Sequence, residues 1–191
     1  MSWYTNRQKG MKGKMATQAL IGFVVTIFYS CGSPSSPRKN ELTVSEFDLP
    51  AFFQQEIKSL DISKPTIRKT VSKDSISESK ELQIGDWERE LASFLTVDLN
   101  KPAYRGTYQK DSIANTVTYT FTDSTVDLSV LKIVYTDQIP VSFTIKKSTN
   151  NLLYNTSESL EYIKGKRYII DKVQSVKMLG NRHYRIEGII E

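Results

Sequence analysis

The chain has 191 residues, enough for one domain behind a processed leader, and its 39% hydrophobic and 25% charged content is globular rather than disordered. A net charge of +5 invites a nucleic-acid partner, but Arg7, Lys9, Lys12 and Lys14 all precede an apolar run, and the first acid is Glu41. Without those four cations, 22 of the 26 basic residues face 21 acids, so the remainder is nearly neutral. A phosphate-tracking surface needs clustered Lys and Arg. The nearest cluster, Lys164, Lys166, Arg167 and Lys172, reads as a solvated turn and strand face. No nucleic-acid partner is expected.

Residues 1–30 have the parts of an export signal: the four cations, an apolar run from Ala16 to Tyr29, and the small Ser30. As a helix of about 14 residues the run spans ~21 Å, too short for a hydrocarbon core of ~30 Å. Met11 and Met15 are alternative starts, and Met15 would discard every leader cation. Cys31 follows, the only cysteine, with no partner for an intramolecular disulfide. The stretch Phe28-Tyr29-Ser30-Cys31 resembles a bacterial lipobox in the relaxed form of Bacteroidota lipoproteins. Ser30 supplies the small residue before the cysteine, while Phe28 and Tyr29 replace the usual Leu and small residue. The resemblance implies a signal peptide over 1–30 and lipidation of Cys31 with palmitate-type acyl chains. Gly32, where Asp would retain the protein in the inner membrane, points to the outer membrane. The acid-free GSPSSPRKN points to its periplasmic face. Each buried CH₂ contributes about 0.8 kcal/mol and a single chain binds marginally, so two or three chains make a permanent anchor. The alternative is ordinary cleavage after Gly32, giving a secreted or periplasmic soluble protein.

Residues 31–45 are rich in Ser and Pro and poor in apolar residues, and are expected to form a flexible tether. A single α+β domain is expected over 46–191. Its first helix is SEFDLPAFFQQEIKSL, with Asp48 as N-cap, Pro50 in the first turn, and Leu49, Phe53, Ile57 and Leu60 as one stripe. KPTIRKTVSKDSISESKELQI predicts a hairpin turning at KDS. GDWERELASFLTVDLN predicts the second helix, capped by Asp86. Trp87, Leu91, Phe94 and Leu95 form its buried face, with Glu88, Arg89 and Glu90 mostly outside it.

From Asn115 the period becomes two. Val117, Tyr119 and Phe121, then Leu131, Ile133 and Tyr135, then Val141, Phe143 and Ile145 form inward sets. Turn signals at TDS, TDQIP, STNN and KGK separate the strands, and two long final strands are expected to join at Leu179–Asn181. The expected fold is α+β: two N-terminal helices packed on one face of a curved antiparallel sheet of about seven or eight strands. FDLPAFFQQEI, KTVSK, DWERELASFL, DLNKPAYRGTY and NLLY together resemble an uncharacterised family of Bacteroidota outer-membrane lipoproteins. That resemblance implies export and the domain limits, and brings no catalytic residue.

The chemistry-bearing residues are sparse. His183 is the only histidine and reads as a strand residue with a solvent or neighbouring-strand partner. Without further His or a free Cys, a zinc site would rest on carboxylates alone. TDSTVD does not have EF-hand spacing, and no P-loop, GxSxG or HExxH is present. No catalytic residue, metal site or cofactor is assigned. Tyr104, Arg105 and Tyr108 in LNKPAYRGTY form a candidate recognition loop, since Tyr and Arg are favoured in hot spots. The competing reading is a loop whose tyrosines cover the end of the core. Ser75, Ser112 and Ser124, each after an Asp in an expected turn, resemble the O-glycosylation signal of exported Bacteroidota proteins. The expected function is a lipid-anchored envelope lipoprotein, a noncatalytic binding or scaffolding module. Its partners are the membrane, through its acyl chains, and an envelope protein, lipid or glycan. Two alternatives stand beside it. One resembles the LolA/LolB type of carrier for apolar ligands; the other is an envelope hydrolase with dispersed carboxylates.

Overall fold

The computed structural model describes residues 45–191; the leader, Cys31 and the tether up to residue 44 lie outside the described residues. Asp48 caps α1 (Leu49–Ser63), its Oδ1 accepting the Ala51 N–H at 2.9 Å, with Pro50 in the first turn. Leu49, Phe53, Ile57 and Leu60 are buried along one stripe, and Glu56 is buried among them. The helix ends where Lys64 turns left-handed at φ 44° and its N–H reaches the Leu60 carbonyl. The predicted hairpin follows as β1 (Thr66–Lys73) and β2 (Ile76–Gln83).

The second helix differs from expectation. It forms two four-residue turns, α2 (Trp87–Glu90) and α3 (Ala92–Leu95), broken at Leu91 with φ −100° and ψ 13°. Asp86 caps the first through the Arg89 N–H. The Phe94 N–H then bonds Leu91 three residues back, tightening the chain so that Trp87, Leu91 and Phe94 all reach the core. Segments this short hold little helix by propensity, so packing decides the backbone. A 3-10 turn, Pro102–Tyr104, leads into the sheet.

Seven more strands follow: β3 (Tyr108–Ile113), β4 (Thr116–Phe121), β5 (Leu128–Thr136), β6 (Ile139–Asn150), β7 (Tyr154–Ile163), β8 (Arg167–Val176) and β9 (Gly180–Ile190). The nine strands form one open antiparallel sheet in the order β2-β1-β9-β8-β7-β6-β5-β4-β3. Seven or eight were expected, and the strand that pattern alone misses is β3. It is an edge strand whose Gln109, Lys110, Asp111 and Ser112 carry no apolar alternation. The last turn also lies earlier than expected, at Lys177–Leu179. Topologically, β3 to β9 meander back across the sheet until β9 meets β1, pairing Ile190 with Ile67. The helical segment carries the chain from β2 at one edge to β3 at the other.

The three helices contact one sheet face. The Phe53 ring stacks on Phe94 at 4.7 Å and meets Tyr162 at 5.0 Å and Phe143 at 5.4 Å. Trp87 stands edge-on to Tyr168 at 6.1 Å. Across β8 and β9, Tyr168 pairs with Gly188, where an added Cβ would lie 2.2 Å from the tyrosine ring. Glycine is needed there because the ring crosses its backbone. Hydroxyls punctuate the opposite face, with Thr70 on Ser79 at 3.1 Å and Ser72 on Ser77 at 2.9 Å. One packed face and one wet face is the usual economy of an antiparallel sheet.

Candidate functional site

Where the helical layer meets the sheet, carboxylates repeatedly meet a tyrosine hydroxyl and a lysine. Glu56 of α1 accepts from Tyr162 Oη at 2.9 Å and pairs with Lys164. Glu90 of α2 accepts from Tyr168 Oη and Lys69 Nζ, each at 2.7 Å. Glu46, just ahead of α1, accepts from Tyr108 at 2.9 Å, Tyr119 at 2.8 Å and Lys110 at 2.6 Å. Asp127 accepts from Tyr104 at 2.9 Å and shares Lys147 with Glu158, both at 3.6 Å.

These contacts set the protonation of the seam. Burial pushes Glu46 upward, yet Lys110 and the Tyr119 and Tyr108 hydroxyls outweigh it and hold the carboxyl below its ordinary value. Burial, reinforced by Asp127, pushes Tyr104 up to about 12. Burial likewise raises Tyr119, Tyr162 and Tyr168, with Glu46, Glu56 and Glu90 adding to it respectively. Each tyrosine therefore stays a neutral donor and each carboxylate receives it. Charged and polar groups brought under a helical layer need such partners. The chemistry this arrangement performs best is clamping two layers together.

Beyond the helices, no element among the described residues covers the continuing inner sheet face. A row of cross-strand neighbours, Lys147, Glu158 and Lys172, marks the boundary, and Ser93 of α3 reaches Glu158 at 3.4 Å. Past it lies a groove of about 250 Å³ whose floor is Thr149, Tyr154, Thr156 and Gln174. On the helix side of the row a second groove, about 520 Å³, runs between α2 and Ile170 and Ile186, with Lys69 and Glu90 in its wall. The two grooves flank consecutive inward residues of β8, Ile170 and Lys172. Together they offer hydrogen-bonding groups, a tyrosine and three lysines, Lys69, Lys147 and Lys172, to a ligand laid across the strands.

The sequence-predicted residues are placed apart from this groove. Tyr104 is buried in the 3-10 turn, and Tyr108 begins β3 with its ring 5.4 Å from Tyr119. Both hydroxyls are spent on seam carboxylates, so the two tyrosines cover the core end, while Arg105 alone is exposed. Ser75 and Ser124 are exposed in turns, but Ser112 lies on edge strand β3 rather than in a turn, because Ser112 continues the pairing to Val117. His183 is exposed on β9, its Nε2 3.1 Å from both Asp171 oxygens of the neighbouring strand, and Arg185 joins the same carboxylate. Cys31 lies outside the described residues.

Glu46, Glu56 and Glu90 are seam residues that the sequence pattern does not single out, Glu90 falling mostly outside the expected buried face. A signal was available for two of them. Glu56 lies three residues after Phe53 and four before Leu60, and Glu90 three after Trp87 and four before Phe94. A charge on the apolar stripe predicts a buried partner, though not which one. Among the described residues, no group of three or more His, Cys, Asp or Glu is arranged to hold a metal ion. No helix among them is long and apolar enough to cross a membrane. No family model matches the chain, and searches of curated proteins and of solved structures return no similar protein.

Proposed function

We propose that the chain is a lipid-anchored cell-envelope protein whose domain is a noncatalytic binding or scaffolding module. In this reading Cys31 carries the acyl chains, the outer membrane holds them, and the domain faces the periplasm with its sheet curved about the helical layer. The observation that carries the binding role is the uncovered inner face, where Lys147, Tyr154, Lys172 and Gln174 line a groove that the helices leave open. A polar envelope partner, protein or glycan, matches those groups. An apolar cargo between helices and sheet has less support, because Phe52, Phe53, Phe94, Phe143 and Tyr162 fill that space ring against ring. A hydrolase has less support because the seam carboxylates are engaged by tyrosine and lysine.

The test is acylation in a Bacteroidota host fed an alkyne fatty acid. The wild-type chain takes up label and sediments with membranes, and Cys31→Ala loses both. A wild-type chain that stays unlabelled returns the protein to the secreted or periplasmic soluble class. Intact mass of the same material reads any glycan at Ser75, Ser112 or Ser124.

A further inference from the structure

Three tight hairpin turns, β1–β2, β6–β7 and β8–β9, share one end of the sheet with the longer β4–β5 connection over residues 122–127, and two of the three are apolar. The β6–β7 turn exposes Leu152 at 92% and Leu153 at 72%; the β8–β9 turn exposes Met178 at 98% and Leu179 at 76%. The two turns are joined, the Lys177 N–H donating to the Leu153 carbonyl at 3.0 Å. The Asn151 side-chain oxygen accepts from both Leu153 and Tyr154 N–H at 2.9 Å, fixing the Leu-Leu pair outward. Single exposed apolar residues are ordinary, but four on two linked turns form a patch that water does not favour. The third turn adds Ile76, 76% exposed.

Charge identifies the occupant. From Lys146 to Ser157 and from Lys172 to Ile186 the two hairpins carry Lys146, Lys147, Lys172, Lys177, Arg182 and Arg185, and no acid. Of the acids at this end, Asp74 is met by Arg182 and the His183 N–H, Asp171 by Arg185, and Glu158 and Asp127 by Lys147, while Asp123 accepts only from Thr125 of its own turn. Lys147, Arg182 and Arg185 are thereby neutralised, while Lys146, Lys172 and Lys177 face no acid among the described residues. Just behind the tips, Tyr154 and Tyr184 are 37% and 38% exposed. Apolar tips, then tyrosines, then these three free lysines is the order of a lipid interface: acyl region, headgroup boundary, anionic surface.

We propose that the Leu152–Leu153 and Met178–Leu179 turns insert into the interface of a bilayer bearing anionic lipid. This contact is separate from acylation of Cys31 and holds whether or not that cysteine is modified. It would set the uncovered groove, which shares Tyr154 with the tip, close to the headgroups.

The experiment uses the full chain with Cys31→Ser and one new cysteine, Leu152→Cys or Leu179→Cys, carrying an environment-sensitive fluorophore. Ile113→Cys, 68% exposed on the β3 edge, is the control. Phosphatidylcholine vesicles are offered with and without about a third phosphatidylglycerol. The expected result is a several-fold emission rise at 152 and 179 on anionic vesicles, none at 113, and loss of the rise when Lys172 and Lys177 become Glu. Because the probe reports locally, binding of the apolar leader does not mimic it. Silence at both tips on vesicles that retain the chain overturns the proposal. An equal rise on neutral vesicles overturns the anionic assignment, and a lipid-free rise that grows with protein concentration assigns the tips to a second copy.

Discussion

The inner face of β6, β7 and β8 has two halves built on the same strands with the same alternation. Under the helices it presents Phe143, Ile145, Leu160, Tyr162 and Tyr168, all at 0% exposure. Beyond the Lys147–Glu158–Lys172 row it presents Thr149, Thr156, Gln174 and a partly exposed Tyr154. The β6–β7 and β7–β8 registers run on unbroken past that row to Asn150–Asn155 and Tyr154–Val176, although β5, which pairs with β6 on its other side, starts there with a register shift beside Lys147. What changes, among the described residues, is whether a second layer lies over the strands to exclude water. A continuous sheet can thus carry a core at one end and a ligand-facing surface at the other. The charged row of Lys147, Glu158 and Lys172 is the boundary between them.

The comparison breaks most visibly by truncating one residue in each half. Phe143→Ala removes a ring touching Phe47, Phe52, Phe53 and Tyr162, and is expected to cost about 3–5 kcal/mol in urea unfolding. Gln174→Ala should change stability by no more than about 0.5 kcal/mol. Gly188→Ala places a Cβ against the Tyr168 ring and is expected to cost about 1–3 kcal/mol. Pairing it with Tyr168→Ala should give a loss smaller than the two singles combined, read by a double-mutant cycle.

Smaller effects come from the seam. Tyr162→Phe leaves Glu56 with Lys164 alone and should cost about 1 kcal/mol. Tyr104 is held near 12 in the fold against an ordinary 10.0, so its contribution is complete below pH 10 and is lost as pH rises through 12. Tyr104→Phe should flatten that part of the alkaline limb in urea midpoints measured against pH. Glu46 acts oppositely: its lowered carboxyl contributes fully above its ordinary 4.5 and is lost as pH falls through the folded value. Smallest of all, Leu152→Ser and Met178→Ser should change the unfolding free energy read from urea titration by no more than about 0.5 kcal/mol, since neither is packed.

Much of the fold was legible where burial imposes a period. The α1 stripe with its Asp48 cap and the inward Tyr119 and Phe121 of β4, Leu131 and Ile133 of β5, and Phe143 and Ile145 of β6 follow from spacing. The β1–β2 hairpin, whose β2 is an exposed edge, was legible instead from its β-branched residues and the KDS turn. Edge strand β3 was not legible, because an edge strand half in water needs no alternation. Nor was the break at Leu91, where tertiary contacts of Trp87 and Phe94 override a helical pattern. The site was less legible still. Glu46 meets Tyr119 across 73 positions and Glu56 meets Tyr162 across 106, and no local signal encodes such pairings. The groove is defined by where the helical layer stops, which depends on how the short α2 and α3 turns fold back.

The division of the sheet face into a structural half and a ligand-facing half is tested most directly by photo-crosslinking in the native envelope. A crosslinking residue is placed at Gln174 in the uncovered groove, at Thr118 on the wet outer face, and at Ile113 on the β3 edge. Discrete adducts are expected from position 174 only, reduced when Lys147 and Lys172 are changed to Glu. Adducts from position 118 or 113 with none from 174 would contradict that division, and would move the binding surface to the opposite face or the edge of the sheet.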